Sequence, residues 1–148
     1  MAAIPEGFAT VTPTLILDGA AAAMELYAKA LGAKELYRMQ CPQSDKIMHA
    51  CIMIGNSKIF LADVNPKMGC STPSNSGFYV YLENVDAAFK QARQAGLEET
   101  SAPQDMFWGD RVGSVRDRFG IQWTLATHVR DVSPEEMEEA RKQFGKAA

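Results

Sequence analysis

Residues 10–17, TVTPTLIL, alternate in the period of a strand: Pro13, Leu15 and Leu17 fall on one face, Thr12, Thr14 and Ile16 on the other. The period then changes. Met24, Tyr27, Ala28 and Leu31 recur at i, i+3, i+4 and i+7, which gives the alanine-rich segment one apolar helical stripe. Asp18 is its expected N-cap and Gly32 its expected C′ residue. KELYRMQ (34–40), MHACIMI (48–54) and SKIFLAD (57–63) read as three further strands, the last two joined at Gly55-Asn56.

Residues 78–125 run through the same programme. FYVYL is a strand, Asn84 a cap, and residues 85–95 a helix stopped by Gly96. After an irregular connection, RVGSV and IQWTLAT form a hairpin around DRFG, where Asp117 and Gly120 supply turn chemistry. Leu17 superposes on Leu82 at an offset of 65, and Phe60 on Thr124 at an offset of 64. Two offsets that agree over most of the chain indicate a duplicated strand–helix–three-strand unit. Residues 8–64 form the first module, the Pro-, Gly-, Ser- and Asn-rich stretch 65–76 a linker, and 77–129 the second module, all within one 148-residue domain. A last helix is expected over 132–145. Ser133, Pro134 and Glu136 make a capping box there, Glu138 and Lys142 a favourable i,i+4 pair, and Met137, Ala140 and Phe144 a narrow docking stripe.

Composition excludes several function classes. At 47% hydrophobic and 22% charged the chain is that of a folded protein. A net charge of −3 and a pI near 5.4 leave no electrostatic footprint for nucleic acid. MAAIPEGF has neither a basic nor an apolar signal region, and no apolar run approaches a membrane span, so neither export nor a membrane partner is expected. Cys41, Cys51 and Cys70 are odd in number and lack a C-x-x-C spacing, which fits reduced thiols in a cytoplasmic protein.

Three stretches, KIMHACIMIGNSKIFLAD, GDRVGSVRDRFGIQWTLATHV and DVSPEEM, together with the duplication, resemble the vicinal-oxygen-chelate superfamily. That superfamily contains glyoxalase I, extradiol dioxygenases and the fosfomycin and bleomycin resistance proteins, and the three stretches are most similar to its PhnB-like branch. The resemblance covers about residues 8–130 and implies an α+β fold: two βαβββ modules forming a curled mixed sheet around a cavity, plus the C-terminal helix. It also implies a homodimer.

Metal-dependent members hold their ion on the first and last strand of each module. Carried across by register, those positions are Thr12, Phe60, Gly77 and Thr124, none of which offers a carboxylate, imidazole or thiolate. No metal and no cofactor is therefore expected at that place. A displaced site would draw on His49 and His128 with Cys51, Asp63 and Asp110. Relatives often carry H-A-E-I where this chain has His49-Ala50-Cys51-Ile52, so an acid available to them is missing here. His49 and Cys51 share a strand face but stand about 6–7 Å apart at Cα, which disfavours a direct nucleophile–base contact.

With that register the concave face carries Thr12, Thr14, Ile16, His49, Cys51, Met53, Phe60, Tyr79, Tyr81 and Thr124, while Leu15, Leu17, Ile52, Ile54, Phe78, Val80 and Leu82 form core. Such a lining is aromatic and hydroxyl-bearing with little charge, suited to a flat or amphipathic small molecule. Trp108 belongs to the irregular stretch before the hairpin, as a lid or a dimer contact. Asp110 and Arg111 would orient a ligand or pair to hold that loop. Three readings follow: a metal-free small-molecule binder with ligand residues Thr12, Thr14, His49, Cys51, Phe60, Tyr79, Tyr81, Trp108 and Thr124; an enzyme using a relocated metal or His49 and Asp110 as acid and base; or a structural dimer with a vestigial pocket.

Overall fold

A computed structural model describes residues 2–147, except for the side chains of 144–147. The fold is α+β, with each module built on its own sheet. In the first, β1 (Thr14–Leu17), α1 (Ala20–Leu31), β2 (Lys34–Gln40), β3 (Ile47–Ile54) and β4 (Ser57–Asp63) follow in order, and the four strands pair as β1-β4-β3-β2. The second contains β5 (Gly77–Tyr81), α2 (Val85–Gln94), β6 (Glu98–Asp105), β7 (Asp110–Arg116) and β8 (Gln122–His128), paired as β5-β8-β7-β6. In both sheets the first and last strands are parallel and the others antiparallel. The duplication is preserved in register: Thr14 lies opposite Phe60, and Tyr79 opposite Thr124.

Both sheets turn one face inward onto the helices. Leu15, Leu17, Ala50, Ile52 and Leu61 from the first sheet, Trp123, Leu125 and Val115 from the second, and Ala23, Tyr27, Val85 and Phe89 from the helices form one buried cluster. Tyr27 links the modules. Its ring meets Trp123 edge-on with centroids 5.1 Å apart, and its hydroxyl donates to Asp117 Oδ2 at 2.7 Å. Because strand side chains alternate, the remaining residues of each sheet face away from this shared core. The two open faces therefore belong to separate sheets.

Three local expectations need correction. Asp18 does not cap α1; Gly19 occupies that position with φ +106° and no side-chain cap of its own. The cap comes from β4, where the Asp63 carboxylate accepts from the Gly19, Ala20 and Ile47 backbone N–H groups at 2.9, 3.0 and 2.7 Å. Thr127, at the offset of 64 from Asp63, accepts likewise from Val85 N–H at the start of α2, assisted by Asn84 on Ala87 N–H. In each module the end of the last strand thus helps to cap the helix, in the second beside the expected local cap Asn84.

The irregular connection after α2 proves to be strand β6. It is polar, contains Pro103 and pairs with β7 through two register shifts, so alternation fails to mark it. An edge strand tolerates such a sequence because one side of its backbone is free of partners. The third correction concerns α3 (Pro134–Ala147), where Ser133 Oγ accepts from Glu136 N–H at 3.1 Å as the capping box requires, but Glu138 pairs with Arg141 in place of Lys142. Met137 and Ala140 are half-buried, and Phe144 falls among the side chains outside the description.

Candidate functional site

The loop between β6 and β7 is shaped by Gly109, which has φ +100°. Its carbonyl accepts from Val129 and Arg130 N–H at 2.9 and 3.1 Å, and any Cβ there would overlap the Arg130 carbonyl oxygen. Only glycine fits so close a backbone approach. The result places Trp108 and Asp110 beside the end of β8.

Asp110 is 3% exposed, whereas Tyr79 and Tyr81 across the open face are 44% and 63% exposed. Both tyrosine hydroxyls donate to Asp110 Oδ2, at 2.6 and 3.0 Å, and their rings tilt against one another with centroids 5.2 Å apart. Trp108 Nε1 donates to the Tyr79 oxygen at 3.1 Å. His128, the cross-strand partner of Asp110, holds Oδ1 through Nδ1 at 2.8 Å and reaches Asp131 through Nε2 at 2.8 Å.

These contacts set the charge states. Burial works to raise the Asp110 carboxyl, but hydrogen bonds from Tyr79, His128 and Tyr81 outweigh it and hold the group below its ordinary range. Hydrogen bonds to Asp131 and then Asp110 raise the His128 imidazolium. Burial, reinforced by the hydrogen bond to Asp110, pushes the Tyr79 phenol up to about 12, and the bond to Asp110 also raises Tyr81. The tyrosines are donors to a carboxylate at neutral pH.

The first sheet is different. His49 Nε2 meets the Tyr37 hydroxyl at 3.0 Å, and its ring lies 4.7 Å from Phe60. The N-terminal segment crosses this face: Phe8 packs on Phe60 with centroids 5.7 Å apart, and Lys58 Nζ donates to the Gly7 carbonyl at 2.8 Å. Thr12, Tyr37, Phe60 and that segment line an open pocket of about 410 Å³. Cys51 is completely buried, and burial pushes its thiol up, away from the thiolate a nucleophile needs.

Of the sequence candidates, Tyr79, Tyr81, Trp108 and Asp110 come together on the second sheet, with Thr124 on the same face bonded to Ser114. Thr12, Thr14, His49, Cys51 and Phe60 lie on the first sheet or at its edge. Asp110 and Arg111 do not pair: Arg111 turns to the helix side and binds Asp86 and Asp105 at 3.1 and 3.2 Å. Asp117 supplies the expected turn chemistry by accepting from Phe119 and Ile121 N–H, and it is also buried and accepts from Tyr27 and Trp123. The partnership of His128 with Asp110 was missed. The register of the hairpin around DRFG places the two opposite each other and would have found it.

The superfamily metal positions do not fit an ion. Phe60 is packed between Phe8 and His49, Gly77 has no side chain, and Thr124 offers only a hydroxyl already shared with Ser114. Asp63, a candidate for a displaced site, is occupied by backbone N–H groups. Among the described residues no three His, Cys, Asp or Glu side chains are arranged to hold a metal. No helix among them is long and apolar enough to cross a membrane.

Comparison with known proteins agrees with this architecture. The model of the Glyoxalase/Bleomycin resistance protein/Dioxygenase superfamily matches residues 9–125. An uncharacterised protein of Mycobacterium bovis is 37% identical over 143 residues, covering 91% of this chain and 93% of the relative. Among solved structures, TioX from Micromonospora superposes with a TM-score of 0.66 at 20% identity, over 84% of this chain and 100% of that one. A PhnB protein from Bacillus cereus does so with a TM-score of 0.64 at 16% identity, over 80% and 99%.

Proposed function

The chain belongs to the glyoxalase/bleomycin resistance protein/dioxygenase superfamily, and from that premise we propose that it binds a small amphipathic or aromatic molecule in a concave site floored by the open face of the second sheet. One observation carries the reading. Tyr79, Tyr81 and Trp108 are presented together at a solvent-facing surface and locked by hydrogen bonds that converge on a buried carboxylate. Aromatic side chains fixed in this way offer large contact area at little further entropy cost on binding.

A homodimer working in the cytoplasm is part of the same proposal. Tyr37, Met39 and Met48 on or near one open face and Tyr79 and Tyr81 on the other leave apolar surface that a second copy would cover. A stable dimer would bury roughly 1,200–2,000 Å² in total. Sedimentation at micromolar concentration tests this, and a monomer rejects it.

A thermal-shift screen of aromatic and amphipathic compounds tests binding. A ligand at one hundred times its dissociation constant adds about 2.7 kcal/mol to stability, and the shift should vanish in the Tyr79→Ala/Tyr81→Ala variant. A screen in which every hit survives that variant refutes the placement. One contact favours a second reading as an acid–base enzyme: Asp110 holds His128 at 2.8 Å, a carboxylate–imidazole couple at the rim of the same face. Turnover abolished by His128→Asn, with binding retained, would select that reading.

A further inference from the structure

The direction of the protons around Asp110 narrows the ligand class, on the premise that the second sheet floors the binding site. A carboxylate accepts only, so the hydroxyl protons of Tyr79 and Tyr81 both point inward at Oδ2. The same rule makes both nitrogens of His128 donors when they face Asp110 and Asp131. Trp108 spends its N–H on the Tyr79 oxygen. What the two tyrosines show to a ligand is therefore the lone pairs of the Tyr81 oxygen and their π faces, beside the Thr124 hydroxyl opposite Tyr79. Toward a ligand the tyrosines are acceptors.

Charge points the same way. An open depression of about 720 Å³ is lined by Tyr81, Leu82, Glu83, Thr127 and His128. Around it stand the carboxylates of Glu83, Asp110 and Asp131 against the one imidazolium of His128, while nearby Arg130 is directed to Glu136 at 3.6 Å. The surroundings remain negative after internal pairing. An anion entering here would meet net negative surroundings.

We propose that this depression selects an organic ammonium ion: an amine carrying an apolar or aromatic substituent, its N–H donated to the Tyr81 oxygen and its charge held against the Tyr81 ring. Cation–π attraction and an aligned acceptor act on the same group, and neither rewards a neutral isostere to the same degree. The inward donors hold the rings in position before the ligand arrives.

The test uses the full chain and two probes of similar shape, benzylamine, which is cationic at pH 7, and benzyl alcohol, which is neutral. The indole N–H resonance of Trp108 reports the site, and that of Trp123, buried and bonded to Asp117, reports the core. Benzylamine is expected to shift Trp108 saturably and leave Trp123 in place, with benzyl alcohol at least about tenfold weaker. Tyr81→Phe keeps the ring and removes the acceptor, and should weaken benzylamine about fivefold or more, as the loss of one hydrogen bond does. Asp110→Asn should also weaken it, and an unmoved Trp123 resonance certifies that either variant is folded. Benzyl alcohol binding as tightly as benzylamine, or benzylamine indifferent to Tyr81→Phe, overturns the ammonium assignment while the aromatic site survives. If neither probe moves Trp108, the assignment fails; a thermal-shift hit that Tyr79→Ala/Tyr81→Ala abolishes would then still uphold the site.

Discussion

Replacing Tyr27 by Phe removes one oxygen atom from the junction between the modules. The ring is fully buried, its packing on Trp123 is retained in the variant, and only the 2.7 Å donation to Asp117 Oδ2 is lost. Asp117 keeps three donors: Trp123 Nε1 at 3.0 Å, Phe119 N–H at 2.9 Å and Ile121 N–H at 3.0 Å. No orphaned charge results, so the expected loss is the net value of a hydrogen bond to a charged group, about 1.5–3 kcal/mol. For a chain of this size that corresponds to a fall in Tm of roughly 3–12 °C. Asp117→Ala is a different perturbation. It strands the Tyr27 hydroxyl and the Trp123 N–H in the core, and should cost more than about 4 kcal/mol. The double variant should be no less stable than Asp117→Ala alone, because deleting the tyrosine hydroxyl removes one stranded donor. Urea unfolding followed by circular dichroism measures all three, at one fixed protein concentration because association would raise apparent stability. A Tyr27→Phe variant within about 0.5 kcal/mol of the parent would refute the claim that this bond holds the modules together.

Asp63→Ala should destabilise by about 2–4 kcal/mol, since three backbone donors lose their acceptor; amide exchange at the start of α1 checks it, and unchanged protection of Ala20 would contradict the cross-strand cap. Gly109→Ala should cost well over the 1–2 kcal/mol of left-handed backbone alone, because the new methyl meets the Arg130 carbonyl. It should also quench ligand-induced thermal shifts, and a variant of parental stability would refute the close approach. The His128 resonance should titrate above its ordinary 6.5 and drop on Asp131→Ala. Its contribution to stability is then complete below about pH 6.5 and lost as pH rises through the folded value, whereas that of Asp110, whose pKa is lowered, is present above about pH 3.8 and lost as pH falls. A His128 midpoint at or below 6.5 disproves the pairing. Ser133→Ala should fray only the first turn of α3, by about 1 kcal/mol, and rapid exchange along 134–143 in the unmutated protein would show that α3 is not docked.

Period, together with cap and stop residues, was enough to place seven of the eight strands and the three α-helices of the described residues, because alternation and the 3.6-residue repeat are local consequences of which side chains face a core. Duplication was legible for the same reason: Leu17 and Leu82, or Phe60 and Thr124, occupy like positions in like patterns. Strand β6 escaped because an edge strand with Pro103 and two bulges needs no apolar face. The cap of α1 escaped because its acceptor is Asp63, more than forty residues downstream and adjacent only once β1 and β4 pair. Alternation marked Tyr79 and Tyr81 as open-face residues and Leu15, Leu17 and Ile52 as core, although Cys51 is buried as well; it carries no information about how two sheets are placed. Packing both helices between the sheets put His49 and Phe60 on one open face and Tyr79, Tyr81 and Asp110 on another. The polarity of the site was likewise decided in three dimensions. A tyrosine hydroxyl donates or accepts according to its neighbours, and only the approach of Asp110 turned both protons inward.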